Sequence, residues 1–360
     1  YANMPAAEAG LKKGDVILAI DDQSMEGRDN SYVSDRLRGD AGTTFVIKIL
    51  RPSTGKVMKI KVTRRAIQLP SVPYYGLRQD GVGYINLNQF TEGCAQQVRR
   101  AFLDLKGKGM KKLVLDLRGN GGGVEQEAVS LVNMFVPKGK LIVSNRGRLK
   151  RMNNDYRTTV EPIDTVMPIV VLVNGETASS SEITSGSLQD LDRAVVMGTR
   201  TYGKGLVQMT MPMPYNGSLK LTTNKYYIPS GRCIQAINYK HNNGGYTEHV
   251  PDSLTKEFRT AGGRVVKDGG GITPDVEVKP DTLSNLTISL LNSSPYMTRD
   301  SSELLLNYVV DYIAKHPTVA APKDFELTDA DYEAFAKRVV DSGYTYARDS
   351  EKYLRNLEKL

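Results

Sequence analysis

Histidine and cysteine are scarce in this chain of 360 residues, three and two respectively. It also lacks any apolar run of about 18 residues, so no membrane span is expected. Each shortage closes a class of function. His241 and His249 lie in and beside a Gly/Asn-rich polar stretch and His316 precedes Pro317. None stands in a recognisable motif with an aspartate, which argues against a serine activated by a His–Asp pair. Cys94 and Cys233 lack the spacing of zinc ligands, so no structural metal is expected, and the sequence leaves open whether the two pair. The net charge is +8, from 48 basic and 40 acidic residues. The basic residues are dispersed over short runs such as 106–112 and 146–151 with no aromatic residue between them, which argues against nucleic acid as a partner.

A chain of this length suits two or three domains, and 40 % hydrophobic content supports a sizeable core. Its most pointed stretch begins at Pro168, where a continuous apolar run rich in β-branched residues reaches Val173 and reads as a buried strand. Asn174-Gly175 ends it. The segment 180–191 carries Ile183, Leu188 and Leu191 among small polar residues and reads as a helix. Ser179 therefore stands at a strand-to-helix turn, where unpaired N–H groups are placed to hold an oxyanion. A serine there is also an ordinary helix cap, and on this segment alone both readings stay open.

A catalytic serine needs a base. Lysine serves if burial lowers its pKa from ~10.4 towards neutrality, a shift of about three units that costs roughly 4 kcal/mol. Lys204 lies between Gly203 and Gly205, after the apolar strand 194–198 and before the alternating run 206–211. Most lysines are solvated surface groups, and Lys204 gains weight only beside the serine.

Together these segments resemble the core of the C-terminal processing peptidases, or tail-specific proteases, which use a Ser-Lys pair. Thr177-Ala178-Ser179-Ser180-Ser181-Glu182 matches the family's nucleophile pattern and Gly203-Lys204-Gly205 its base, 25 positions further on. The resemblance implies Ser179 as nucleophile, Lys204 as general base and Gln208 as the residue that orients the lysine. A second match is the strand 112–118 leading into Gly119-Asn120-Gly121-Gly122-Gly123 and a helix expected over 124–135. It implies an oxyanion hole built from Gly122, with Gly123 next in order, and the N–H of Ser180. The family usually has asparagine and proline where this chain has Gly119 and Gly121, which loosens the loop. A phosphate-binding loop is excluded because Val124-Glu125, not Lys-Ser/Thr, follows the last glycine. A dinucleotide fingerprint fails as well, since Val124 and Gln126 stand where it needs glycine.

The segment 5–21, the run 31–38 and the strand 42–51 resemble part of a PDZ domain, a module that binds an extended C-terminus as an added strand. The chain opens at Tyr1, which this resemblance places inside the domain, with the first strand and carboxylate loop expected upstream. Arg38 resembles an arginine that in some relatives couples the PDZ domain to the active site; an arginine at a helix end is also an ordinary C-terminal charge. Segments 226–232 and 269–276 resemble two further family signatures that frame the substrate cleft.

The fold class expected is α/β with mixed sheets. A partial PDZ domain fills 1–66, a crotonase-like ββα protease core 67–280, and a helical region, truncated at its end, 281–360. Within these, 83–87 is expected as a strand, 95–105 as a helix, about 238–267 as a polar surface insertion, and 304–313 as a helix, with a cap at Thr328 to Asp331. The resemblance implies a serine peptidase of the periplasm or cell envelope that needs no metal or organic cofactor and takes protein or peptide substrates with apolar C-termini. A homo-oligomer is compatible with it. Two other classes stand beside this reading: a catalytically silent PDZ scaffold, and a crotonase-like acyl-CoA enzyme.

Overall fold

The computed structural model describes residues 3–67, 69–238, 246–247, 253, 255–280, 304–316, 318–321 and 324–341. It separates into two compact units, one of residues 1–68 with 281–360 and the other of residues 69–280.

In the first unit a short helix α1 (Pro5–Glu8) precedes β1 (Val16–Ile20), β2 (Gln23–Ser24), helix α2 (Asn30–Leu37), β3 (Thr44–Arg51) and β4 (Lys56–Thr63). The strands form one antiparallel sheet in the order β2-β1-β3-β4. Phe45, Ile47 and Ile49 alternate along β3 and are buried with Ile20 and Val62, as a strand with one covered face requires. Asp29 caps α2 by accepting the Tyr32 amide at 2.7 Å.

The second unit holds a six-stranded mixed sheet. Its strands are β5 (Tyr74–Leu77), β6 (Val82–Asn86), β7 (Lys112–Asp116), β10 (Ile169–Val173), β11 (Val195–Gly198) and β18 (Val276–Glu277), in the spatial order β18-β11-β10-β7-β6-β5. Only β5 runs antiparallel to its neighbour. Helices α3 (Cys94–Gly107), α4 (Glu125–Asn133) and α5 (Ser180–Asp190) connect these strands and contribute Val98, Phe102, Leu131, Val132, Ile183 and Leu188 to the core that also contains Leu113, Leu115, Val171 and Val196. A second, antiparallel sheet is built from β8 (Leu141–Gly147), β9 (Asn154–Arg157), β12 (Leu206–Met213) and β13 (Gly217–Tyr227), in the order β12-β13-β8-β9.

One feature of α5 departs from expectation. The helix is buried on all sides, polar residues included. Its hydroxyls are satisfied internally: Thr184 and Ser185 donate to the carbonyls of Ser180 and Ser181, and Ser187 to that of Ile142, at 2.9–3.0 Å. At its end Asp190, 0 % exposed, pairs with Arg232, 1 % exposed, at 2.9 Å.

Of the span 238–267, residues 239–245, 248–252 and 254 lie outside the described residues, and most of 255–267 is exposed, as a surface insertion requires. The span includes β14 (Ile237–Asn238) paired with β15 (Tyr246–Thr247), and a hairpin of β16 (Glu257–Arg259) and β17 (Val265–Lys267). The hairpin docks on the end of α5: Ala261 donates its amide to the Asp190 carbonyl at 2.7 Å, and Arg264 reaches the Gln189 carbonyl and Asp192. These hydrogen bonds attach the exposed hairpin to the core.

The C-terminal segment of the first unit contains α6 (Leu304–Lys315) and α7 (Asp329–Asp341). Thr328 Oγ1 accepts the Asp331 amide at 3.2 Å and the Asp331 carboxylate accepts the Thr328 amide at 3.1 Å, the reciprocal cap expected there. Tyr308 of α6 packs edge-on against Phe335 of α7. His241, His249 and the segments 281–303 and 342–360 lie outside the described residues.

Candidate active site

The strands β7, β10 and β11 are neighbours and parallel, with Leu172 opposite Asp116 and Val173 opposite Gly198. Their C-terminal ends therefore open on one edge of the sheet, the usual place for a site in a parallel sheet. The three connections leaving that edge are the glycine loop 117–124, the segment 174–179 and the segment 199–205. These are the stretches that carry Gly122 and Gly123, Ser179, and Lys204.

Ser179 is the last residue before α5, at φ 56° and ψ −118°. A non-glycine residue in that region costs about 1–3 kcal/mol, so the surroundings must hold it there. They do so through Glu182. This side chain is fully buried, and its carboxylate accepts the Ser179 amide at 2.9 Å, the Lys204 amide at 2.9 Å, the Gly203 amide at 2.7 Å and the Thr201 hydroxyl at 2.5 Å. Burial pushes the Glu182 carboxyl up, and the four donors oppose that shift. One carboxylate thus ties the backbone of the serine to that of the lysine. Tyr226, also buried, adds a second tie by donating to the Lys204 carbonyl at 2.6 Å and lying 3.3 Å from that of Ser179.

The Ser179 hydroxyl faces the Glu182 amide with the layout of a capping box, but no side-chain bond to it has proper hydrogen-bond geometry, and that amide donates to the Ser179 carbonyl at 2.8 Å. Capping is done by Glu182, which reaches back to the Ser179 amide.

Asn120 fixes the glycine loop. Buried completely, it donates to the Leu87 carbonyl at 2.7 Å, and its own carbonyl accepts from the Ala178 amide and the Ser181 hydroxyl. Gly122, at φ 93°, lies so close to the serine turn that a Cβ would fall 2.7 Å from that of Ser179 and 2.6 Å from the Ala178 carbonyl. Its amide, however, donates to Asn120 Oδ1 at 2.9 Å. The amides of Gly123 and Ser180 have no such acceptor among the described residues.

Ser179, Ser180, Gly122, Gly123, Lys204 and Gln208 all line one cleft of about 710 Å³. Lys204 is half-buried and Gln208 is exposed, and no hydrogen bond joins Ser179 Oγ to Lys204 Nζ. Beside the cleft, burial pushes the Asp116 carboxyl up, but its bonds from Arg118 and Tyr84 hold it below the usual carboxylate range. Burial and then the bond to Asp116 push the Tyr84 phenol up to about 12. Arg38 belongs to the other unit, at the end of α2, exposed and 3.7 Å from Asp35. Cys94 and Cys233 are free thiols. Among the described residues no group of acidic, histidine or cysteine side chains has the makings of a metal site, and no helix is long and apolar enough to cross a membrane.

Glu182 and Tyr226 carry no role legible in the sequence, although Glu182 closes the serine pattern 177–182 and Tyr226 opens the segment 226–232. The Ser-x-x-Glu spacing was the available signal for the first; Tyr226 offered none, because its role depends on where β13 meets the lysine connection.

The residues match known families in three places. Residues 81–250 match the model of peptidase family S41, residues 1–51 a PDZ domain, and residues 296–360 the C-terminal helical domain of a probable PDZ-protease. The chain is 41 % identical over 238 residues to a carboxy-terminal-processing protease of Bartonella bacilliformis, covering 65 % of this chain and 54 % of that one. It is 35 % identical over 240 residues to a probable CtpA-like serine protease of Staphylococcus aureus, covering 66 % and 47 %. Among solved structures, the photosystem II D1 C-terminal processing protease aligns at 27 % identity and a TM-score of 0.46, over 78 % of this chain and 67 % of that one. The chain spans about half the length of the curated relatives it matches. With the mixed α/β fold, the N-terminal PDZ domain and the C-terminal helices in agreement, residues 81–250 belong to peptidase family S41.

Proposed function

We propose that the chain is a carboxy-terminal processing serine peptidase working through Ser179 and Lys204. In this reading unprotonated Lys204, oriented by Gln208, takes the proton of Ser179 Oγ as that oxygen attacks a peptide carbonyl. The amides of Ser180 and Gly123 receive the oxyanion, with Gly122 as a donor only if its bond to Asn120 opens. Lys204 then passes its proton to the leaving amine, and water releases the acyl group from the serine. The lysine side chain must close on the serine for the first step, a tightening that often awaits the substrate. The supporting observation is the strained Ser179 turn at the head of α5, tied by Glu182 to the Lys204 backbone and sharing a cleft with its side chain.

The substrates proposed are proteins or peptides with apolar C-termini, captured with the help of the PDZ domain, and Arg38 is assigned the coupling role. Export to the periplasm or cell envelope belongs to the same proposal. The test is cleavage of an unfolded protein with an apolar tail by the chain and its Ser179→Ala and Lys204→Ala variants. Cleavage that both substitutions abolish is the expected result. A wild type that binds the tail without cutting it would replace the peptidase by a binding scaffold.

A further inference from the structure

Glu125 opens α4 two residues after Gly123 and lines the same cleft as Ser179 and Lys204. Its Oε2 accepts from Asn145 Nδ2 at 2.9 Å, while its Oε1 is shut off from solvent and accepts nothing among the described residues. Asn145, on β8 and 5 % exposed, is in the same condition, with a buried Oδ1 and no donor. A buried acceptor without a donor costs on the order of 1–3 kcal/mol, and native folds rarely leave two on side chains bonded to each other. As the first residue of α4 Glu125 lies at the positive end of the helix, and its bond to Asn145 ties α4 to β8, but neither supplies a donor to Oε1. Glu125 makes no salt bridge among the described residues and gives α4 no side-chain cap. Burial pushes its carboxyl up and only the Asn145 bond opposes this, so the group gains from any further donor. The charge of Glu125 also bears on Tyr226, the side chain that touches the carbonyls of both Ser179 and Lys204. It is therefore a neighbour of the reacting groups.

We infer that Glu125, backed by Asn145, is a specificity-determining residue whose Oε1, closed to solvent here, turns to the cleft to accept a cationic side chain, lysine ammonium or arginine guanidinium, from a substrate residue beside the scissile bond. The cleft is lined by polar groups, among them Asn88, Gln89 and Gln208 and the cations Lys204 and Lys220, and Val124, Ile183 and Leu206 add apolar surface that suits the methylene stem of such a side chain. The preference concerns the residues at the cut and is separate from the tail by which a substrate is captured. The inference rests on the Ser-Lys reading of the cleft.

The test uses two pairs of peptides that differ only by lysine against norleucine, placed immediately before the cleaved bond in one pair and immediately after it in the other. They are given to the chain, to Glu125→Gln and to Glu125→Leu, with folding of each variant checked by its melting temperature. For one pair, the wild type is expected to favour lysine by about tenfold or more in kcat/KM, as a charge-assisted bond provides. Glu125→Gln should cut that preference to below about threefold, and Glu125→Leu should turn it towards norleucine. An equal lysine preference in wild type and Glu125→Gln, or a norleucine preference of the wild type in both pairs, overturns the inference. Peptide affinity is measured in parallel on Ser179→Ala with and without Glu125→Gln. If the wild type cleaves neither pair, a lysine preference in affinity that Glu125→Gln removes supports selection by Glu125 while refuting the peptidase reading. Equal affinities would overturn the inference as well.

Discussion

In the proposed mechanism Ser179 stands on the nucleophile side of the cleft, where every residue of α5 is buried and Ser179 is held by Glu182, and Lys204 on the base side, where β12 is exposed from Gln208 to Met213. Lys204 stands at the junction. Its backbone is fixed from both directions, the amide by Glu182 and the carbonyl by Tyr226, but its side chain is half-buried and has no hydrogen-bond partner among the described residues. A serine turn carrying strain needs the surrounding core to enforce it. A lysine that must approach the serine, take a proton and return it benefits from freedom of its side chain on a fixed anchor. The comparison therefore assigns stability to one side of the site and adjustment to the other, and each assignment can be broken by substitution.

The largest effect is expected from Glu182→Ala. It leaves the amides of Ser179, Gly203 and Lys204 and the hydroxyl of Thr201 without their acceptor. Removing a buried acceptor of this kind costs about 3–5 kcal/mol. Urea denaturation should show that loss, and cleavage should disappear with it. A variant as stable as the wild type would mean that the nucleophile side is not held from Glu182.

The glycine loop gives the next contrast. Gly122→Ala drives a Cβ against the Ala178 carbonyl at 2.6 Å, in a backbone conformation that alanine disfavours, whereas a Cβ on Gly121 meets nothing within 4 Å. The first should cost about 2 kcal/mol or more and the second within about 0.5 kcal/mol. Equal melting temperatures for the two would show that the loop yields where it touches the serine turn.

On the base side the signs separate. Gln208 is exposed, so Gln208→Ala should leave stability within about 0.5 kcal/mol. If it orients Lys204, kcat should fall about 10- to 100-fold with KM little changed, since misplacement of a reacting group costs on that order. A loss of stability instead of kcat would move Gln208 to the structural side of the comparison.

Much of this arrangement was legible in the residues. The apolar runs at 113–115 and 169–173 became strands because a sheet covered on both faces selects such runs, and the place of Ser179 at a strand-to-helix turn followed from the local pattern. What stayed hidden were groups defined by closure of the fold. Glu182 takes donors from positions 179, 201, 203 and 204, and no local rule joins the later three to it. The burial of α5 was masked by its serines and threonines, whose hydroxyls read as surface until their bonds to helix carbonyls are seen. Glu125 and Asn145 lie 20 positions apart on α4 and β8, and meet only when the second sheet folds over the first connection. Helix ends also shifted, α4 stopping at Asn133 where the apolar pattern ran on to 135.

The smallest effects concern strain, which occurs on both sides of the site. Ser179 has φ 56°, and at the tip of the β12–β13 hairpin Tyr215 and Asn216 have φ 60° and 58°, with the Gly217 amide on the Pro214 carbonyl. That is the geometry of a two-residue turn in which both central residues take positive φ. Tyr215 is fully exposed and its side chain supplies nothing to the core, so Tyr215→Asn should stabilise the chain by a few tenths of a kcal/mol, about the difference in their tolerance of that conformation, and leave cleavage unchanged. Ser179→Gly should stabilise by about 1 kcal/mol relative to Ser179→Ala, because only glycine relieves the turn, and both should be inactive. Melting curves of the three variants decide it. If Ser179→Gly melts with Ser179→Ala, the serine turn holds no more strain than its neighbours, and the stability of the nucleophile side must be credited to the Glu182 bonds alone. If it melts higher, the chain carries at Ser179 a strain that it has not relieved by glycine, whereas the strain at Tyr215 can be removed without loss.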